Sequence, residues 1–326
     1  MPGEVGTLNS DNVWFIAKSP ALVCRLVIAN RALPGPCRTI RAGCRLQELD
    51  LSKIRKTMSN PLFQRSQISH QGFRLPVSYF IRPGTGATLV CLHGLGGSKQ
   101  DFLGAVSQQT LLDYTLVAFD FPGCGATPYP ADGAWRIDDL VEITDRFISA
   151  LNISGFVIIG HSMGGLTALL YARKYGSKLK GFVDIEGNLA PEDCFLTRDI
   201  ARLSFADFLA TGYLQDLKLR FAGALHKGTG IWAEDLGKQG AARAVYDYAV
   251  SIVNWSDNED LLAGFIGLPI PKLFVYGSAN SHLSYLPRLR VSDASVVEVP
   301  ESGHWPHQDN PASFYSAVSD FLQRYQ

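Results

Sequence analysis

Apolar residues fall into short unbroken runs from about residue 65 onward, separated by longer stretches with helical spacing. Ala87–Leu92 is one such run, and Thr115–Phe119, Gly155–Ile159, Gly181–Ile185, Lys272–Tyr276 and Ser295–Val299 are of the same kind. Runs of this length without polar alternation predict strands buried on both faces. Gln67–Ser69 and Leu75–Arg82 read as a short antiparallel opening. Amphipathic spacing predicts helices over Ile137–Leu151, Ser162–Lys174 and Ser313–Arg324. Strands alternating with helices in this way give a mostly parallel central sheet covered by helices on both faces, an α/β fold. The rhythm breaks once. Residues 188–266 contain helical stretches (Thr197–Ala210, Leu217–His226, Ala241–Trp255) but no strand pattern, so they read as a helical cap inserted between two sheet strands. The expected division is an extension over 1–60, a core over 61–187 and 267–326, and the cap over 188–266.

Composition narrows the class. The 326 residues carry 30 basic and 30 acidic side chains, and 46% are hydrophobic. Zero net charge gives no electrostatic basis for nucleic-acid binding, which needs concentrated positive charge. No apolar run is long enough to span a bilayer. The six cysteines are scattered, with no CxxC pair and no metal-ligand spacing, as expected of reduced thiols in the cytoplasm. The first sixty residues differ: Asn12 to Gln47 holds six basic residues and no acidic one. That stretch fits either an Arg-rich organellar presequence or a loosely ordered extension. Oligomeric state has no signature in the sequence.

Three motifs carry candidate chemistry. Gly160-His-Ser-Met-Gly164 lies between an apolar strand and a helical pattern. In that context G-x-S-x-G is a tight strand–turn–helix bend that lifts the Ser162 hydroxyl above the sheet edge at a helix N-terminus. His93-Gly94-Leu95-Gly96-Gly97 follows another strand and would expose backbone N–H groups able to stabilise a negative oxygen. A dinucleotide loop is the rival reading, but Lys99 occupies the third glycine position. Gly303-His304 follows the last strand and places a histidine downstream of the serine. A serine hydroxyl needs such a base to take its proton. Of seven histidines, His304 is the candidate; His307 reads as a hydrogen-bonding support, while His70, His226 and His282 show no partner pattern.

With Asp120-Phe-Pro-Gly-Cys-Gly125, these segments stand in the order found in α/β-hydrolase-fold serine hydrolases of the cap-bearing esterase, lactonase and C–C hydrolase type. Residues 65–326 resemble that family. The resemblance implies Ser162 as nucleophile, His304 as base, and the N–H groups of Leu95 and Met163 as oxyanion hole. It gives Asp120 a structural role. It implies no metal and no organic cofactor. The family acid commonly follows the strand after the cap, where this chain has Asn280. The alternative family position falls on Glu186, with Asp184 and Asp193 as rivals. The implied reaction is cleavage of a small, apolar ester or lactone through an acyl-enzyme. C–C bond hydrolysis, or a small-molecule receptor of the same fold with little turnover, stays open. The cap aromatics, from Phe195 to Trp255, would mostly pack the cap and in part roof a pocket.

Overall fold

The computed structural model describes residues 6–8, 13–16, 25–28, 60–236 and 241–325. The remaining positions of the 1–60 segment, including most of the Arg-rich stretch, lie outside the described residues. Within it, β1 (Gly6–Leu8), β2 (Val13–Ile16) and β3 (Arg25–Ile28) pair in antiparallel order.

The main unit is built on an eight-stranded sheet. Its strands are β4 (Leu62–His70), β5 (Phe73–Arg82), β6 (Thr88–Leu92), β7 (Thr115–Phe119), β8 (Phe156–His161), β9 (Leu179–Ile185), β10 (Lys272–Gly277) and β11 (Ser295–Val299), ordered β11-β10-β9-β8-β6-β7-β5-β4. β4 and β5 form the antiparallel opening read from the sequence, β5 pairs antiparallel with β7, and all other pairs are parallel.

Alternate residues of each buried strand enter separate cores. Val90, Leu92, Val117 and Ile158 pack with α1 (Ile137–Ala150) and α2 (Met163–Tyr175). Leu89, Cys91, Ile159 and Val183 pack with α11 (Pro311–Arg324) and the turn over Lys99–Ser107. Burial on both faces explains the unbroken apolar runs. The chain builds outward from β6 to β7, then crosses back to β8 on the other side of β6. That reversal opens a crevice at the carboxyl ends of β6 and β8, where sites in open α/β sheets form.

Among the described residues between β9 and β10 lie six α-helices: α3 (Thr197–Ala201), α4 (Phe205–Ala210), α5 (Tyr213–Phe221), α6 (Lys227–Asp235), α7 (Ala242–Asn258) and α8 (Leu261–Ile266). The helical insertion is therefore present, but two of its three expected segments are broken, while the third, expected over Ala241–Trp255, runs on to Asn258. The expected helix over 217–226 is instead the end of α5, a bend at Gly223 (φ +74°) and the approach to α6. A left-handed glycine ends the helical run there, where residues with a Cβ would be strained. Among the described residues no helix is long and apolar enough to cross a membrane. α9 (Leu286–Arg290) and α10 (Pro306–Asp309) complete the fold.

Candidate active site

Two adjacent strands end in the same unusual way. After β8, the Ser162 N–H still donates to Ile185 O (3.0 Å), yet its backbone turns to φ +53°, ψ −118°. α2 begins at the next residue, and the Ser162 carbonyl accepts from the N–H groups of Gly165 (2.8 Å) and Leu166 (3.1 Å). A Cβ on Gly160 would overlap the Gly164 carbonyl, and one on Gly164 would overlap the carbonyls of Leu92 and His93. The glycines of the motif are thus required by close backbone approach. After β9, Glu186 repeats the pattern: its N–H donates to Val275 O (3.1 Å) and its φ is +45°. Each such conformation costs roughly 1–3 kcal/mol and persists only where surrounding contacts hold it, which is common at functional sites.

Glu186 is 5% exposed and its carboxylate meets three donors. Oε1 accepts from Gly277 N (2.7 Å), while Oε2 accepts from Asn280 Nδ2 (2.7 Å) and lies 2.6 Å from His304 Nδ1. Because the carboxylate only accepts, the proton of neutral His304 sits on Nδ1, leaving Nε2 as the acceptor. The His304 carbonyl is in turn 2.8 Å from His161 Nε2. Ser162, His304 and Leu95 line one small cavity with Asn188 and Trp305. Met163 supplies the first residue of α2, and first-turn N–H groups have no intrahelical partner.

The loop after β6 is fixed from both sides. His93 Nε2 accepts from Phe121 N (3.0 Å), so its Nδ1–H donates to Gly94 O (2.8 Å). The indole of Trp232, in α6, donates to Leu95 O (2.8 Å). Asp120 accepts from Lys99 N, Lys99 Nζ and Ala126 N, which ties its loop together as the sequence suggests.

The rival carboxylates go elsewhere. Asp184 accepts from Gly187 N (2.7 Å), and burial holds its carboxyl well above the usual range. Asp193 accepts from Leu189 N, Ala190 N and Tyr285 OH, and burial pushes it up to about 6.

Several histidines differ from expectation. His307 makes no hydrogen bond through either ring nitrogen and stacks on Phe102 at 5.2 Å; burial pushes it down to about 3. It is packing rather than hydrogen-bonding support, because its place in α10 turns the ring into the core. His161 is held well below its ordinary value by burial and then by His304. His70, expected without a partner, lies 2.8 Å from Asp139. His226 and His282 line a larger cavity beside His304. They have no motif around them, and only the folding of the insertion and the loop after β10 brings them there. Of the cap aromatics, Phe195, Phe221 and Trp232 line cavity walls, whereas Phe205, Phe208 and Tyr246 pack on one another. Among the described residues no group of three His, Cys, Asp or Glu side chains is placed to hold a metal ion.

An eight-stranded, mostly parallel sheet with a serine on the β8–α2 bend and a carboxylate after β9 that meets a histidine in the loop after β11 defines the class of the protein. The profile of the alpha/beta hydrolase family matches residues 89–317, and the chain belongs to that family. It is similar to the sn-1-specific diacylglycerol lipase ABHD11 of Mus musculus, with 27% identity over 289 residues, 76% of this chain and 85% of the relative. It is also similar to the 2-succinyl-6-hydroxy-2,4-cyclohexadiene-1-carboxylate synthase of an Enterobacter species, with 23% identity over 248 residues, 72% of this chain and 91% of the relative. In structure it resembles a carboxylesterase of Nitrososphaera gargenis, at TM-score 0.67 and 17% identity over 80% of this chain and 98% of that one. A thermophilic esterase from Thermogutta terrifontis aligns at TM-score 0.64 and 20% identity, over 80% and 99% respectively.

Proposed function

We propose that the protein is a serine hydrolase that cleaves a carboxylic ester or lactone of a small substrate through an acyl-enzyme. The observation that carries this reading is the 2.6 Å contact of Glu186 Oε2 with His304 Nδ1, in a histidine that shares its cavity with Ser162. Glu186 holds His304 in the tautomer whose Nε2 accepts a proton. His304 takes the Ser162 proton as Oγ attacks the carbonyl carbon, and the Leu95 and Met163 N–H groups receive the negative oxygen. His304 then hands that proton to the departing alkoxide. Water, activated by the same histidine, attacks the acyl-enzyme, and the acid and free Ser162 are released. The carboxylate compensates the imidazolium that forms twice per turnover. The relation to a diacylglycerol lipase is consistent with ester cleavage.

Helices α3–α8 act as a cap over this site, with Trp232 joining cap and oxyanion loop through its bond to Leu95. The described cysteines, Cys91, Cys124 and Cys194, are buried free thiols, which supports a reducing compartment such as the cytoplasm. The test is labelling by a fluorophosphonate together with turnover of p-nitrophenyl acetate. Both should occur in the native protein and both should vanish in Ser162→Ala, with kcat lower by about 10⁶ as for other triad serines. A Ser162→Ala protein retaining more than about a thousandth of the native kcat would overturn the assignment.

A further inference from the structure

The cavity at His304 has two unequal lobes. The lobe containing Ser162 is about 40 Å³ and is lined by Leu95, Asn188, Thr197 and Ile252. By the room a water requires, it holds roughly three water-sized groups. The second lobe is about 310 Å³ and extends past the imidazole to Asn280, His226 and His282. Asp193, Phe195, Leu196, Trp232, His304 and Trp305 border both.

The lobes also differ from an anion site in charge. Glu186, Glu192 and Asp193 line the larger one, and neither lobe has a lysine or arginine among its described lining residues. Glu186 is compensated by its three donors. Glu192 is held by Ser284 N (2.9 Å) and Ser284 Oγ (2.8 Å), with no ion pair among the described residues.

We infer that the enzyme selects esters with a short acyl group and a bulky, non-anionic alcohol, and that Glu192 is a specificity-determining residue that repels anionic leaving groups. The inference rests on Ser162 as nucleophile and His304 as base. In acylation the base returns its proton to the leaving alkoxide oxygen, so the alcohol lies on the His304 side, toward the large lobe. The acyl carbon is bonded to Ser162, and its chain is confined to the small lobe. An alcohol carrying a carboxylate or phosphate would meet the Glu192 carboxylate with no lysine or arginine in the lining to offset it. At a separation of order 6 Å and a dielectric response between protein surface and water, one such pair costs roughly tenfold in rate. The aromatic walls and the neutral donors of Asn280 and Thr229 suit an uncharged ring.

The experiment compares kcat/KM of the full chain on matched esters, each normalised to its rate with hydroxide. 1-Naphthyl acetate should exceed 1-naphthyl octanoate by about tenfold or more, because the small lobe admits only a few heavy atoms. Methyl 4-acetoxybenzoate should exceed 4-acetoxybenzoate by about tenfold. Glu192→Gln, an exposed position, should raise the ratio of the anionic to the neutral rate by about threefold. An octanoate cleaved as well as the acetate would overturn the acyl assignment. Equal rates on the charged and neutral acetates, or an unmoved ratio in Glu192→Gln, would overturn the charge assignment. If either occurs while a fluorophosphonate still labels Ser162, the hydrolase reading stands and only the selectivity fails. Absence of both labelling and turnover would instead defeat the hydrolase reading, and the selectivity with it.

Discussion

The strand ends and the helical insertion meet at one cavity but are built to different tolerances. At the strand ends, Ser162 and Glu186 are each pinned by a ladder hydrogen bond from the neighbouring strand, and the Glu186 carboxylate spends all its contacts on Gly277, Asn280 and His304. In the insertion, Phe195 is 55% exposed, Leu219 67% and Leu225 94%. Its two apolar clusters, around Trp232 and around Phe208, are small beside the cores on either sheet face. The catalytic roles proposed for these groups need positions held to fractions of an ångström, and a two-sided buried sheet provides them. Walls that select substrates need only shape and charge, so a looser helical layer suffices. The difference predicts that substitutions at strand ends change kcat, whereas those in the insertion change which substrate is taken.

The sharpest way to break that comparison after the serine itself is Glu186→Gln. The shape is kept but the charge opposing the imidazolium is lost, and the corresponding change in a serine protease costs about 10⁴ in kcat. A rate within tenfold of native, measured on p-nitrophenyl acetate, would move the acid role to another residue.

Asn280→Ala sharpens the same point. It removes one of three donors to the carboxylate but leaves Gly277 N and His304 in place, so kcat should fall by roughly tenfold with KM little changed. A change confined to KM would instead assign Asn280 to the substrate wall that it also lines.

Buried histidines give the strand ends a pH signature of their own. His307 is pushed down to about 3 and His161 is lowered well below its ordinary value. Both stay neutral in the folded state under conditions where the unfolded chain protonates them. The sign follows: their contribution is complete above about pH 6.5, declines as pH falls, and for His307 levels off near 3. Each contributes a slope of at most about 1.4 kcal/mol per pH unit. Urea unfolding at pH 7 and pH 5 should show the loss, and His307→Leu should lessen it. An identical slope in that variant would mean His307 is not the neutral group.

The smallest effect belongs to the insertion surface. Leu225→Gln replaces a side chain that packs on almost nothing, so stability should change by less than about 0.5 kcal/mol and acetate turnover should hold. A shift of the urea midpoint beyond that range would show that the insertion is tighter than its exposure implies.

Much of this was legible along the chain because its causes are local. A strand buried on both faces must be apolar throughout, and β6, β7, β8, β9 and β10 were visible for that reason. The bend at Ser162 needs glycine on both sides because backbone atoms approach within contact, and that requirement is written into five consecutive residues. Helix ends inside the insertion were less legible, since they depend on a left-handed backbone at Gly223 that composition alone does not specify. Apart from Glu186 for His304, which the family resemblance pointed to, the partners of the histidines were not legible. His226 and His282 carry no surrounding pattern, and His307 lies three residues beyond His304, inside α10 rather than in the loop before it.

What the sequence by itself determined, then, is the order of strands and helices, the serine on its bend and a histidine after the last strand. Which carboxylate meets that histidine was settled by tertiary structure. Glu186 and His304 lie 118 positions apart. The pairing of Ile185 with Val275 puts Glu186 beside Gly277, and the closing loop after β11 brings the imidazole to its free edge. A local sequence pattern records what the backbone must do within a few residues. Contact between distant side chains depends on strand register and on how loops close, and those are fixed only when the whole sheet is assembled.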